Sequence, residues 1–165
     1  MSLLPLCLDP HPILRQRARP VTAWTSDVRR LVQDMIETMY ASDGIGLAAP
    51  QVGSDLQVFV ANPSQARGKE LILVNPVLED ASGRASTIEG CLSVPHVWER
   101  VRRAATVRMS GHDPQGQSLR VEADGLMAIV LQHEFDHLQG HLFVGRLSWL
   151  TRCRLGMRTR RMRAS

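Results

Sequence analysis

The sequence has little cysteine and no long apolar run. Its cysteines, Cys7, Cys91 and Cys153, are too few and too scattered for a disulfide framework, which predicts a reducing compartment and so a cytoplasmic protein. No stretch approaches the roughly 20 consecutive apolar residues of a membrane-spanning helix, so no membrane span is expected. No basic residue precedes the short apolar run within residues 1–10, so no signal peptide is expected.

Internal repeats, low-complexity stretches and linkers rich in Gly, Ser or Pro are also missing. A chain of 165 residues without such boundaries is expected to bury one hydrophobic core. Hydrophobic residues at 44% and charged residues at 22% exclude collagen-like, coiled-coil and disordered chains. We therefore expect one domain over residues 1–147, with residues 148–165 as a basic carboxyl-terminal helix or tail of the same domain.

Positive charge is concentrated at the carboxyl end of the chain. Residues 141–165 carry seven arginines and no Asp or Glu, so the rest of the chain sums to −3 of the net charge of +4. A basic tail on a mildly acidic body suits contact with a polyanion such as RNA or a membrane surface, and a solvated helix face is the alternative. The arginines are Arg146, Arg152, Arg154, Arg158, Arg160, Arg161 and Arg163.

The hydrophobic pattern changes along the chain from helical to alternating and back. Apolar residues three and four apart predict an amphipathic helix over 28–40, with Thr25 or Ser26 as N-cap. Residues 44–53 hold three glycines and a proline, which predict an irregular loop. Helices are expected again at 124–139, buried on most sides, and at 148–163. An α+β fold with mostly antiparallel sheets follows, its strands at 56–61, 71–78, 87–94, 105–110 and 117–121.

The buried helix contains the run His133-Glu134-Phe135-Asp136-His137. Histidines four residues apart lie on one helix face about a turn apart, so both imidazoles can bind one metal ion. Glu134 can act as a general base toward a water molecule without binding the metal itself. The alternative is a core helix that happens to carry two histidines, but burying these polar side chains without partners is costly. The fold is therefore expected to surround a central, buried metal-binding helix.

A catalytic metal usually has three protein ligands and one open position, so a third ligand is expected elsewhere in the chain. Cys91 is the best candidate, since Gly90 can relax the backbone beside it and Pro95 is expected to end its strand. An inert buried thiol is the alternative, and spacing alone leaves it open. Cys7 and Cys153 are interpreted in that second way.

Three separate runs resemble the signature motifs of the peptide deformylase family. In order and spacing they span residues 44–137, and the likeness extends over most of the chain. The resemblance implies a catalytic domain over 1–147 that removes the formyl group from N-formylmethionyl polypeptides during or after translation, releasing formate. The runs are GIGLAAPQ at 44–51, EGCLS at 89–93 and QHEFDH at 132–137.

The resemblance also assigns a metal and a base. Cys91, His133 and His137 would hold one divalent ion, Fe²⁺ in this family, with Ni²⁺, Co²⁺ or Zn²⁺ as possible substitutes. Ligand type alone does not select among these ions. Glu134 would take a proton from the attacking water and return it to the leaving amine.

Further residues of the runs would bind substrate. The family assigns stabilisation of the formyl oxygen to the side-chain amide of Gln51 and the backbone N–H of Leu92. Ile45 and Gly46 lie in the segment with which an extended peptide pairs like an added strand. Leu126, Ile129 and Val130 are expected on the ligand-bearing face of the helix, where they would line an apolar pocket for methionine. Ordinary core packing is the alternative for these three residues.

The chain departs from the family pattern at three places. His96 follows Pro95 where glycine is common, and Trp98 stands where some members place a substrate-contacting arginine. Gly145 replaces an aspartate that commonly follows the Leu-Phe-aliphatic run. None of these changes affects the expected ligands, base or oxyanion donors.

Two other classes share part of this pattern. A zincin-type metalloprotease has the His-Glu-x-x-His run, but it more often recruits a third His or Glu and lacks the other two motifs. A non-catalytic RNA- or ribosome-associated domain would hold a structural metal through four protein ligands, and no convincing fourth ligand is present. We expect a monomer or weak associate that acts on nascent chains, with a possible ribosome contact through its basic tail.

Overall fold

The computed structural model describes residues 2–162, with side chains described through residue 156. Within this range the chain forms three α-helices and seven strands, which confirms the predicted mixture of helices and antiparallel sheets. No helix in the described range is long and apolar enough to cross a bilayer. The helices are α1 (Ser26–Ala41), α2 (Gly125–Leu138) and α3 (Trp149–Met162). The strands are β1 (Gly46–Ala48), β2 (Val58–Ala61), β3 (Leu71–Ser82), β4 (Ala85–Cys91), β5 (Val94–Arg103), β6 (Thr106–His112) and β7 (Ser118–Asp124).

The main sheet has five antiparallel strands in the order β1-β2-β3-β6-β7. Strand β2 shows why helices cover both of its faces, since successive side chains point to opposite sides. Phe59 packs in the same core cluster as Leu131 of α2, whereas Val58 and Val60 pack with Met35 of α1. The buried apolar residues on the two faces hold α2 and α1 against opposite sides of the sheet.

Helix α1 begins as the sequence predicts. The Thr25 hydroxyl oxygen accepts a hydrogen bond from the backbone N–H of Val28, which satisfies one of the free donors at the helix start. Its apolar stripe, including Val32 and Met39, is buried against the sheet. The amphipathic pattern therefore determines both the extent of α1 and the face that it buries.

The expected irregular loop over residues 44–53 is partly wrong. Strand β1 pairs with β2 from Gly46 to Ala48, and a short 3-10 turn follows at Ala49–Val52. Leu47 is fully buried. The glycines suggested a loop, but burial of these small apolar residues beside β2 decides the local structure.

The single strand expected at 87–94 is also wrong, and β5 was not predicted. Cys91 and Val94 pair across a two-residue turn, so β4 and β5 form a separate antiparallel hairpin. Pro95 does not end a strand but lies second in β5. A two-stranded sheet leaves one edge of each strand without a ladder partner, where the missing N–H of proline is tolerated.

Asn75 interrupts the regular pairing of β3 with β6 and ties the sheet to the amino-terminal segment. Its backbone adopts a left-handed φ of 53°, which asparagine tolerates better than most residues. Its side chain accepts from the N–H of Val21 at 2.7 Å and donates to the Val21 carbonyl at 2.8 Å. One side chain thus replaces a strand partner for Val21.

We expect Asn75→Ala to lower the free energy of unfolding by about 2–4 kcal/mol, because both hydrogen bonds are lost and alanine is strained at this φ. Asn75→Gly loses the same bonds without that strain and should cost less. Urea unfolding of the three proteins measures the differences. A loss below about 0.5 kcal/mol for alanine would show that the Val21 contact contributes little.

Candidate metal centre and active-site cleft

The three predicted metal ligands converge in the structure. Helix α2 places His133 and His137 on one face, with their Nε2 atoms 3.2 Å apart. The Sγ atom of Cys91, at the end of β4, lies 3.2 Å from Nε2 of His137. All three donor atoms lie within 4.8 Å of one another. The β4–β5 hairpin therefore brings Cys91, which lies 42 positions before His133 in the chain, to the histidine-bearing face of α2.

The geometry and chemistry of this cluster fit one metal ion. With metal–nitrogen bonds of ~2.1 Å and a metal–sulfur bond of ~2.3 Å, tetrahedral donors lie about 3.4–3.6 Å apart. The Cys91–His137 and His133–His137 separations of 3.2 Å are within a few tenths of an ångström of that spacing. Two imidazole nitrogens and a sulfur that share so small a volume cannot all be satisfied by one another's protons. A cation among them satisfies all three.

The pKa values of the two histidines differ because the rings share this space. Burial, and the charge of the neighbouring ring, lower the pKa of His137 well below its ordinary value. Burial also opposes charge on His133, but hydrogen bonds with Cys91 and Glu89 outweigh it and raise the pKa of His133 to about 10. A metal ion therefore competes with a proton for the same donor atoms.

Glu134 lies beside the cluster in an apolar setting. Its side chain is 4% exposed, and its Oε2 atom has no hydrogen-bond partner among the described residues. Burial raises the pKa of Glu134 to about 7. A carboxyl group with a pKa near neutrality can both accept and release a proton.

Gly46 lets strand β1 approach this carboxyl group. A Cβ atom on Gly46 would lie 2.3 Å from Oε1 of Glu134 and 2.9 Å from Cγ1 of Val130. Both distances are far below normal contact, so only glycine fits here without displacing a neighbour. The glycine predicted to bind substrate therefore also shapes the space around the predicted base.

Gln51 also lies beside the cluster. Its Oε1 atom accepts from the backbone N–H of Ala48 at 2.8 Å, which fixes the orientation of the amide. Its Nε2 atom lies 3.5 Å from Sγ of Cys91 and 3.3 Å from the Ser93 hydroxyl. The amide donor is thus directed toward the region where the three ligands meet.

A cleft of about 270 Å³ opens onto these groups. Its lining comes from β4 and Leu92, from the segment around β1, and from α2. His137 is not among the residues that line the cleft, and it is 1% exposed. The cleft brings together all of the residues that were predicted to bind substrate: Ile45, Gly46, Leu126, Ile129 and Val130.

Comparisons with known proteins agree with this geometry. A family model described as polypeptide deformylase matches residues 3–152. The chain belongs to the polypeptide deformylase family. It is therefore an enzyme of a family that hydrolyses the N-formyl group of nascent peptides.

Individual deformylases resemble the chain over nearly its whole length. The peptide deformylase of Alkalilimnicola ehrlichii is 46% identical over 156 residues, covering 94% of this chain and 88% of that protein. The crystal structure of a peptide deformylase from Legionella pneumophila has a TM-score of 0.92 at 35% identity, covering 99% and 98% of the two chains. That of a peptide deformylase from Synechococcus elongatus in complex with actinonin has a TM-score of 0.86 at 40% identity, covering 90% and 83%.

Two departures from the deformylase pattern have visible structural consequences. His96 adopts a left-handed φ of 64°, so it occupies a conformation that glycine adopts more readily. The Trp98 ring lies on Gly90, where a Cβ atom would be 2.8 Å from ring carbons. Trp98, Ile88 and Leu126 line the cleft yet are 70%, 59% and 49% exposed. The mouth of this deformylase cleft is therefore apolar.

Sequence reasoning missed the polar groups that surround the ligands. Glu89 accepts from Nδ1 of His133 at 2.9 Å, and Arg103 donates to Glu89 at 2.6 and 2.8 Å. Arg103 and Arg146 both donate to Asp136. Glu89 and Asp136 fall inside the deformylase motifs, which was a signal that they matter. Their arginine partners are remote in sequence, and no periodic pattern connects them.

We expect Gly46→Ala to lower formyl-peptide hydrolysis about 100-fold, because displacement of the Glu134 carboxyl group by about 1 Å misplaces the predicted base. Bound metal should remain at the parental level, since no ligand is touched. Gly145→Ala is the matched control, because a Cβ there meets nothing within 4 Å. Steady-state rates and elemental analysis test both variants. Unchanged activity of Gly46→Ala would show that Glu134 tolerates the added Cβ atom.

Proposed function

We propose that this cleft removes the formyl group from N-formylmethionyl polypeptides during or after translation, releasing formate and a free amine. The observation that carries the proposal is the convergence of Cys91, His133 and His137 beside the buried carboxyl group of Glu134, at the wall of an apolar cleft. This arrangement combines a ligand set, a base and a binding site for an unbranched apolar side chain.

Cys91, His133 and His137 would hold the metal ion. Ferrous iron is the expected ion, with Ni²⁺, Co²⁺ or Zn²⁺ as substitutes that the same nitrogen and sulfur donors accept. Such an ion supplies Lewis-acid chemistry, activating water and polarising a carbonyl oxygen. Glu89 supports this role, because its hydrogen bond fixes the His133 ring with Nδ1 protonated and Nε2 free to bind metal.

Glu134 acts as base and then as acid. Its carboxylate accepts a proton from the water that attacks the formyl carbon, and it returns that proton to the amine as the C–N bond breaks. Burial supports both steps because it raises the pKa of Glu134 to about 7. Near neutral pH the carboxyl group can then both accept and release a proton. Exclusion of bulk water by the apolar wall keeps the proton at this site.

Gln51 and Leu92 stabilise negative charge on the formyl oxygen. The amide of Gln51 is held by Ala48 and directs Nε2 toward Cys91. Leu92 lies in the turn directly after Cys91 and lines the same cleft as Gln51, and its backbone N–H would be the second donor. Preorganised donors of this kind lower the barrier without reorganising during the reaction.

The substrate binds as an extended chain beside β1. Strand β1 is at an edge of the five-stranded sheet, and its residue Gly46 lines the cleft next to Ile45. Backbone pairing with an edge strand accepts many peptide sequences. Selection of the first residue then rests on an apolar pocket for methionine, which Leu126, Ile129 and Val130 would form.

The proposed activity also determines where the protein acts. Formylated nascent chains arise at ribosomes, so we expect the enzyme in the cytoplasm, working as a monomer with residues 1–147 as the catalytic unit. The family match covers residues 3–152 and so includes all but the first two residues of this unit. Residues 148–165 would form a basic extension of the same domain.

Glu134→Gln should retain about one equivalent of metal but lose formyl-Met-peptide hydrolysis by about 10²–10⁴-fold, because glutamine keeps the shape and cannot accept the proton. Glu122→Gln, at an exposed carboxyl group paired with Arg108, is the control and should match the parent. Formate release and elemental analysis measure the two properties. Hydrolysis by Glu134→Gln at the parental rate would end the proposed mechanism.

Ribosomal RNA is the polyanion that we propose for the basic extension. Arg154 of this extension pairs with Glu99, and Arg146, which precedes the extension, pairs with Asp136. Residues beyond 156, which include four further arginines, lie outside the described side chains. Their density of positive charge, without an acidic residue, supports the proposal.

Replacing Arg158, Arg160, Arg161 and Arg163 with glutamine should weaken salt-sensitive co-sedimentation with ribosomes, because fewer phosphates are neutralised. A control with glutamine at four exposed arginines elsewhere has the same net charge; these are Arg17, Arg30, Arg84 and Arg100. Equal co-sedimentation of the two variants would refute a specific role for the tail.

A further inference from the structure

A continuous chain of charged hydrogen bonds runs from His133 to the segment that leads into α3. Nδ1 of His133 lies 2.9 Å from Oε2 of Glu89, whose two oxygens accept from Nε and a terminal nitrogen of Arg103 at 2.6 and 2.8 Å. The other terminal nitrogen of Arg103 donates to Oδ2 of Asp136 at 2.9 Å. Arg146 then donates to both oxygens of Asp136, at 2.5 and 2.6 Å.

We propose that Arg146 is a positioning residue for the metal centre: by holding Asp136 it keeps Arg103 and Glu89 in place, and so fixes the orientation of the His133 ring. The proposal rests on the function proposed above, since it concerns the ligand set of that site. Arg146 touches neither the donor atoms nor the cleft, and acts only through the residues between.

Charge balance explains why the outermost residue matters. The side chains of Arg103, Glu89 and Asp136 are 1%, 6% and 7% exposed, so each depends on protein partners for its hydrogen bonds. With Arg146, two guanidinium groups face two carboxylates. Without it, Arg103 alone must serve both, and a buried carboxylate left short of donors draws the shared guanidinium toward itself. Any such movement of Arg103 weakens its two bonds to Glu89.

The short turn that carries Arg146 also contacts His133 directly. This 3-10 turn, Phe143–Arg146, buries the Phe143 ring to 1% exposure. That ring stacks on the imidazole of His133 with an interplanar angle of 26° and a centroid separation of 6.1 Å. The turn therefore supports one ligand twice, through an aromatic contact and through the charged chain. Loss of the Arg146–Asp136 pair removes the link through the charged chain and leaves the Phe143 contact with His133.

The Arg146–Asp136 pair differs from an ordinary surface ion pair because its acidic partner is buried. Its own side chain is 45% exposed, but Asp136 is buried and both of its oxygens are held in a fork. Arg154 of α3 offers the matched comparison, since it makes a single bond of 3.1 Å to Glu99 and is 61% exposed. Exposed single pairs contribute little, whereas forked pairs to a buried carboxylate fix geometry.

The test compares Arg146→Ala, Arg146→Lys and Arg154→Ala with the parent, each loaded with Co²⁺. Three readouts are taken: the rate of Co²⁺ transfer to a chelator, the visible absorption bands of the bound Co²⁺, and kcat and KM for a formyl-Met peptide. Circular dichroism of each protein checks that the variants are folded. Lysine supplies one donor in place of a fork, so it is the partial rescue.

We expect Arg146→Ala to release Co²⁺ about 10-fold faster or more, with shifted absorption bands and a reduced kcat at nearly constant KM. Arg146→Lys should fall between the alanine variant and the parent, and Arg154→Ala should match the parent. The inference is overturned if both Arg146 variants release Co²⁺ at the parental rate with parental bands. It is also overturned if Arg154→Ala changes these properties as much as Arg146→Ala does.

If Arg146→Ala does not fold, the lysine variant decides by the same two criteria, release rate and absorption bands. Failure of the proposed function is a separate result, because it would appear as a parent enzyme that binds Co²⁺ but leaves formyl-Met peptides intact. The release rates and spectra still report on the position of His133 in that case.

Discussion

Two imidazoles and a thiol converge within 4.8 Å of one another, and much of the molecule serves to hold them there. The histidines require a helix that is buried on most sides, and the five-stranded sheet covers the apolar residues of α2. The thiol requires a second element that ends beside the helix, and the β4–β5 hairpin provides it. Soft and borderline donors gathered so closely are electrostatically strained unless a cation lies among them.

Burying this centre brings charged groups into the interior, where each needs a partner. Glu89 holds His133, Arg103 holds Glu89, and Asp136 is shared between Arg103 and Arg146. A buried charge network of this kind adds little stability compared with apolar packing, but it defines one arrangement of its members. For a metal centre, a single defined arrangement of ligands is the useful property.

Much of the site was predictable because its chemistry lies in short motifs. The spacing of His133 and His137 determines a shared helix face, and Glu134 follows from its place in the same run. The cleft residues at 45–46 and on α2 were predicted by family resemblance and by helix spacing, and the structure gathers them around one cavity. What no motif indicated was the exposed apolar rim formed by Ile88 and Trp98, because exposure depends on elements that cover neighbouring residues.

The sequence alone determined the extent of α1 and the ligand-bearing face of α2, since each depends on the spacing of residues a few positions apart on one helix. Only the tertiary structure decided that residues 44–53 contain a buried strand, that Pro95 lies inside β5, and that the arginines at 103 and 146 meet the acids beside the candidate metal ligands. These outcomes depend on burial and on partners that are distant in the chain. Local pattern carries no information about such partners, because the free energy that selects them arises only when the elements pack.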